Sequence, residues 1–264
     1  VMAGKVYFVA TPIGNLEDFS SRAVRVLSEA DVLYCEDTRH SRILTQHYGI
    51  TTPMKSYHKF NEKAVAETLI AAVREGKNVA VISDAGTPAV SDPGCVLVQR
   101  LKEEKIPYTV VPGACAFVNA FVLSGFQPPV AFVGFLPEKT AEKRKLLEKC
   151  GSCALAVYVS PHNVNEDLAF LEEALGNRNV ALVRELTKVY EEVTFGTLAD
   201  RVENPKGEYV LVVEGKEEQN SLNDLSVREH VEFYVNSGLS RMDAMKQTAK
   251  DRGISKSVVY KEML

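Results

Sequence analysis

The chain contains no apolar run approaching the roughly 20 residues that a helix needs to cross a bilayer, which argues against membrane insertion. It shows no charged n-region followed by an apolar h-region at its start. Its five cysteines, Cys35, Cys95, Cys115, Cys150 and Cys153, are odd in number, so a disulfide framework is not expected. Together these point to a reducing cytoplasm. No Gly-x-Gly-x-x-Gly or Walker sequence is present, so dinucleotide and nucleoside-triphosphate sites lack their usual markers. An excess of positive charge is also missing: 31 Lys and Arg against 35 Asp and Glu leave a net charge of −4. Coating nucleic acid by charge alone is therefore not expected, although a local basic patch could still do so. Cys150-Gly-Ser-Cys153 has redox-motif spacing, yet it follows a predicted helix, whereas a thioredoxin-like pair opens one. No second pair completes a zinc site, and the motif reads as structural.

What is present suits a globular enzyme. With 45% hydrophobic and 25% charged residues the chain has ample core, and 264 residues is near the length at which one core divides. The stretch Val81–Gly94 (VISDAGTPAVSDPG) starts as a β-branched apolar run and turns into Asp, Gly, Pro and Ser, the pattern of a buried strand ending in a functional loop. In an open α/β sheet small molecules bind outside the carboxyl ends of the strands, so a ligand is expected there.

Lys5–Ala10 predicts a first strand that breaks at Thr11-Pro12-Ile13-Gly14-Asn15-Leu16. Ser20 or Ser21 can cap a helix carrying Ala23, Val24, Leu27 and Ala30 on one face. A second strand, Val32–Cys35, runs into Glu36, Asp37, Thr38, Arg39 and His40, a cluster that could orient a substrate or supply a base, or form only a structural ion pair. Helices over 61–75, with Asn61 as cap, and 96–105, and a strand over 108–111, complete the first half. Small residues at Pro112-Gly113-Ala114-Cys115-Ala116 would let a ligand approach a helix start. Gly125-Phe-Gln-Pro-Pro129 predicts a domain boundary. The second half alternates strands 131–133, 154–159 and 180–184 with helices 142–149 and 164–175. It closes on strands 191–195 and 209–213, which suggests a mixed, partly antiparallel sheet. His162, alone at a strand end, reads as a hydrogen-bonded loop residue.

Residues 215–224 read as a polar linker. From Ser226 the pattern is helical, with Ser240 and Ser255 as caps and Ser240–Asp243 resembling a capping box. Arg241, Lys246, Lys250, Arg252, Lys256 and Lys261 against Asp243, Asp251 and Glu262 make this tail locally basic. It suits a phosphate backbone, or else is a solvated packing appendage.

Seven segments in order resemble one family: Thr11–Leu16, Glu36–Arg39, Ser83–Gly94, Val111–Gly113, Gly134–Pro137, Ser160–His162 and Arg184–Lys188. The chain is similar to the ribosomal RNA small subunit methyltransferase I branch of the tetrapyrrole methylase superfamily, over almost its whole length including the tail. The resemblance implies two α/β domains of the class III methyltransferase type with a small C-terminal helical module, divided as 1–124, 125–215 and 226–264. It also implies a homodimer, and S-adenosylmethionine held in the cleft between the domains. The implied reaction is 2′-O-methylation of a cytidine ribose in the decoding region of 16S rRNA, within the small ribosomal subunit. By the family pattern, Pro12, Ile13, Asp84, Gly86, Val90, Cys115, Ala116, Val159, Leu186 and Val213 are expected to line the cofactor pocket. Glu36, Asp37, Arg39 and Asn15 are expected to hold the ribose or accept its proton, with Glu185 and Lys188 facing them and Lys256 and Lys261 reaching RNA from the tail. Asn163 and Phe195 depart from the pattern, standing where Arg is common. A corrin-type tetrapyrrole methyltransferase and a non-catalytic RNA-binding protein are the rival readings.

Overall fold

A computed structural model describes residues 4–216, 222 and 225–264. By contacts the chain divides into two compact units, Val1–Gly215 and Lys216–Leu264.

The first unit opens with a five-stranded sheet in the order β3-β2-β4-β1-β5. Its strands are β1 (Val6–Val9), β2 (Val32–Cys35), β3 (Met54–Ser56), β4 (Val79–Val81) and β5 (Tyr108–Val111), all parallel. Helices α1 (Ser21–Glu29), α2 (Thr38–His47), α3 (Glu62–Arg74) and α4 (Cys95–Glu103) connect them. The strand period of two sorts the core. Val6, Phe8, Tyr34 and Val81 face Leu69, Val73, Leu97 and Leu101 of α3 and α4. Val9, Leu33, Cys35 and Ile82 face Ala23, Leu27 and Leu44 of α1 and α2. With both faces covered, β2 and β4 can be apolar throughout, as parallel strands usually are.

Two elements depart from the sequence reading. The Glu36–His40 cluster does not end in open loop: Thr38 begins α2, capped by the Asp37 carboxylate. The three-residue edge strand β3 follows, too short and too polar to register as a strand. Asn61 precedes α3 but makes no side-chain cap, because its amide oxygen accepts from His58 N at 2.8 Å and its NH2 donates to Ser56 O.

Helix α5 (Ala116–Ser124) leads to a second five-stranded sheet, ordered β6-β7-β10-β8-β9. Its strands are β6 (Val130–Phe135), β7 (Ala154–Val159), β8 (Asn179–Arg184), β9 (Glu192–Thr197) and β10 (Tyr209–Val213). Only β6 and β7 are parallel, so the sheet is mixed. Helices α6 (Thr140–Glu148) and α7 (Val164–Leu175) cover one face through Leu147, Val164, Leu168 and Leu171. The opposite face packs Val183, Val210 and Val212 against Ala120 and Phe121 of α5 and against Ile13 from the loop after β1. Thus α5 joins the two sheets, although it lies on the first side of the turn at Gly125. Cys150 follows α6, its thiol directed at Leu146 O, and all five cysteines are free.

The second unit holds α8 (Val227–Asn236), α9 (Arg241–Asp251) and α10 (Lys256–Met263), packed on Val231, Ala244, Met245, Ala249 and Val259. The reciprocal capping box is at Ser226 and Glu229. At Ser240 the hydroxyl accepts from Asp243 N, but the shorter Asp side chain meets that hydroxyl rather than reaching back to the backbone. Ser255 makes no side-chain cap, its hydroxyl pairing with that of Ser257. Residues 217–221, 223 and 224 of the expected linker lie outside the described residues.

Candidate cofactor cleft and substrate rim

The parallel order of the first sheet brings the loops after β2, β4, β1 and β5 to one edge, where their backbones are stitched together. Thr11 N donates to Gly86 O at 2.9 Å and Gly86 N returns to Thr11 O at 3.1 Å. The Thr87 hydroxyl donates to Ala114 O at 3.1 Å. Gly86 adopts φ +80°, and a Cβ there would sit 3.3 Å from Ile13 Cγ2, so glycine suits this crossing of loops. Ala89 and Ser91 are also left-handed, at φ 66° and 64°, a strain that folding concentrates at ligand-binding segments.

Opposite this edge lie the carboxyl ends of β7 and β8 and the start of β10, brought level by antiparallel pairing of Tyr209 with Val159 and Arg184. Between the two edges is a cavity of about 440 Å³. Seven of the ten expected cofactor residues line it: Ile13, Gly86, Val90, Cys115, Ala116, Val159 and Leu186. Three do not. Val213 lies at the far end of β10, beside Leu155 and Val180, on the face covered by α6 and α7; at about 3.3 Å per residue it cannot reach the cavity end of its strand. Pro12 lies outside the lining, between the bridging Thr11 and the lining Ile13. Asp84 sits behind it, its carboxylate accepting from Asp37 N at 3.2 Å and its carbonyl facing His40 Nε2 at 3.1 Å.

The lining also includes residues that the site expectation omitted, chiefly Asp92, Tyr158, Ser160, Pro161 and Tyr209. Asp92 belongs to the Ser83–Gly94 segment and Ser160 and Pro161 to the Ser160–His162 segment, but nothing in the sequence distinguishes Tyr158 from an ordinary strand aromatic. Tyr158 stands edge-on to Phe132 and Phe135, and its hydroxyl accepts from Phe117 N at the start of α5. Burial pushes its pKa up to about 12, which keeps it neutral.

The electrostatics are lopsided. Burial pushes Asp92 up to about 6, helped by the charge of Glu36 and then of Asp84, and opposed by a hydrogen bond from Ser83. Glu36 is likewise raised, by burial and then by Asp84, with His58 and Lys59 acting against it. Asp92 thus lines a largely apolar cleft with Glu36 and Asp84 acting on it from outside the lining, and Glu208 is the second lining carboxylate. Asp37 is different: its bonds from Arg39 hold it down to about 2, with Arg39 Nη2 at 2.8 Å. Asp37 and Arg39 therefore form the ion pair that the sequence left as an alternative, at the first turn of α2. Asn15 caps the short turn Leu16–Asp18 through Glu17 N.

Lys188 packs over the loop after β1, so closely that a Cβ on Gly14 would come within 2.5 Å of its Cγ. Its ammonium binds Glu185 at 3.0 Å and Glu208 at 2.8 Å, while Glu185 also accepts from Glu208 N. Lys188 and Glu185 thus meet the Asn15 side of the rim as a closed ionic group. Lys256 and Lys261 belong to the second unit.

The family model for Tetrapyrrole (Corrin/Porphyrin) Methylases matches residues 5–201. A Halalkalibacterium halodurans protein named Ribosomal RNA small subunit methyltransferase I is 42% identical over 97% of this chain and 93% of its own. The chain belongs to the ribosomal RNA small subunit methyltransferase I branch of the tetrapyrrole methylase family. A member of that branch from Mycoplasmopsis pulmonis is 43% identical, and there the match takes in 79% of this chain but 96% of the relative. Among solved structures, uroporphyrin-III-C-methyltransferase from Thermus thermophilus superposes with a TM-score of 0.57 at 25% identity, covering 80% of this chain and 94% of that one. Tetrapyrrole methylases use S-adenosylmethionine, and the cleft suits it. Ile13, Val90 and Leu186 make its walls apolar, Gly86 leaves the backbone open to close approach, and Asp92 gives the lining a carboxylate.

Proposed function

We propose that the protein transfers a methyl group from S-adenosylmethionine to the 2′-oxygen of a cytidine ribose in the decoding region of 16S rRNA, acting on the small ribosomal subunit in the cytoplasm as a homodimer. The observation that carries the reading is the cleft's divided character, apolar along its walls and carrying the carboxylate of Asp92, on which the charges of Glu36 and Asp84 act, in a chain of this branch. S-adenosylmethionine supplies a methyl group already activated on a sulfonium, so positioning can provide much of the acceleration, up to roughly 7–11 kcal/mol in favourable cases.

The chain's residues divide that task. Ile13, Val90, Ala116 and Leu186 exclude water, and Cys115 and Val159 close the cavity beside them. Asp92, backed by Glu36 and Asp84, presents negative potential to the cationic donor. Glu36, whose raised pKa makes it the more basic carboxylate of the Glu36–Asp37 pair, takes the proton of the ribose hydroxyl. The Asp37–Arg39 pair and Asn15 hold the ribose and its phosphate at the first turn of α2. Glu185 and Lys188 bound the rim from the second sheet. Homodimer formation is supported by apolar side chains left exposed near the first sheet's edge, Val110 on β5 and Val118, Val122 and Leu123 on α5.

Mapping of ribose methylation in 16S rRNA by mass spectrometry tests the reading: cells lacking the protein should lose one 2′-O-methylcytidine and regain it on complementation. An unchanged map would overturn the proposal. Transfer to a tetrapyrrole, the substrate class in the name of the solved neighbour, is tested by the same purified protein with uroporphyrinogen as acceptor. No product is expected.

A further inference from the structure

The second unit carries a groove of its own, with a volume of about 440 Å³ between α9 and α10. Its floor is Met245, 9% exposed, and its open sides are Met242, 61% exposed, and Tyr260, 54% exposed. Its charged lining residues are Lys246, Lys256 and Lys261, with no carboxylate among them. Lys246 is tethered to Asp243 at 2.9 Å. An apolar slot with an aromatic face and a cationic rim combines the two elements that bind single-stranded nucleic acid: a ring for a base to stack on, and ammonium groups for the flanking phosphates.

We infer that this groove is a docking site for an unpaired nucleotide of the RNA, the base lying against Tyr260 and Met242 and the adjoining phosphates on Lys256 and Lys261. Charge complementarity decides the occupant. An apolar partner helix would leave Lys256 and Lys261, which pair with no carboxylate among the described residues, without an anion, whereas RNA supplies both the flat apolar surface and the anions. Sequence comparison supports a role outside the cofactor cleft. The family model matches residues 5–201 and stops short of this unit. The module is thus an addition to the methyl-transfer apparatus, and capturing substrate is a task it can perform without contributing to the cleft. The inference rests on the proposed reaction only for its choice of RNA as ligand.

The test uses the full chain and a fluorescein-labelled single-stranded RNA of about 10 nucleotides, followed by anisotropy, with the same sequence as a duplex for comparison. Single-stranded RNA should bind more tightly than duplex. Tyr260→Ala should weaken it about tenfold, Tyr260→Phe should retain it because stacking needs the ring and not the hydroxyl, and K256A/K261A should weaken it and flatten its salt dependence. Equal affinity of Tyr260→Ala and the unaltered protein would overturn the inference, as would loss of a self-association in place of RNA binding. If the unaltered protein transfers no methyl group to rRNA yet binds the oligonucleotide through Tyr260, the proposed reaction fails and the groove stands.

Discussion

At the scale of single residues, two titrating groups carry opposite signs of consequence. Asp92 has a pKa raised to about 6 by burial among carboxylates, so the folded protein binds its proton more tightly than the unfolded chain does. Its ionisation therefore costs stability as pH rises from about 4 to about 6. The same charge is what a cationic cofactor would meet. Asp92→Asn should raise the melting temperature at neutral pH while weakening S-adenosylmethionine about tenfold or more, and calorimetry should find an affinity that climbs through pH 6 in the parent and is flat in the variant. His230 behaves in the reverse sense. It is fully buried, and its Nδ1 accepts from Arg252 Nε at 3.0 Å, an arrangement available only to the neutral ring. Burial and then the Arg252 charge lower its pKa, with Asp251 opposing them. Its folded pKa therefore lies below the unfolded value of about 6.5, so its contribution is complete above that pH and is lost on acidification. Thermal melts followed by circular dichroism should show α8–α10 weakening below about pH 6.5, and His230→Gln should abolish that dependence.

Among elements, the loop after β4 decides most. Its Asp, Gly and Pro content marks it as a ligand site in the sequence alone, and its place at the sheet edge follows from parallel strand order. Other features were invisible for physical reasons. Helix α2 was hidden because its first turn is charged, Asp37 serving as cap and Arg39 as its partner, so the sequence reads as a catalytic cluster when part of it is capping chemistry. Strand β3 has only Met54, Lys55 and Ser56 and gains its place from pairing with β2. Val213 follows from the family pattern alone, and it stands at the end of β10 opposite the one that meets the cavity. Tyr158 was missed because its role comes from β7 ending opposite the start of α5, a long-range fact. Within the loop, Gly86→Ala should cost about 1–2 kcal/mol in stability, since L-residues disfavour this backbone region. It should also weaken S-adenosylmethionine by pressing on Ile13. Denaturant melts and calorimetry on one preparation would check both.

At the scale of the whole molecule, the chain is a cofactor-binding unit of two sheets followed by a small helical one. The core clusters of Val1–Gly215 contain no residue of the helical unit, and the family model ends at residue 201, before it. A protein ending at Gly215 should therefore fold and bind S-adenosylmethionine with the parent's affinity, while binding rRNA more weakly. Filter binding with ribosomal subunits and calorimetry with the cofactor would separate the two effects; loss of both would mean that the helical unit supports the fold.

The paired hydrogen bonds between Thr11 and Gly86 have one further consequence. Each residue's amide is shielded only while the other loop stays in place, so neither loop can detach by itself without exposing both. In native-state hydrogen–deuterium exchange the two amides, 75 positions apart in the chain, should trade their hydrogens at a common rate, as if they belonged to one short strand pair. Filling the cleft should slow them together.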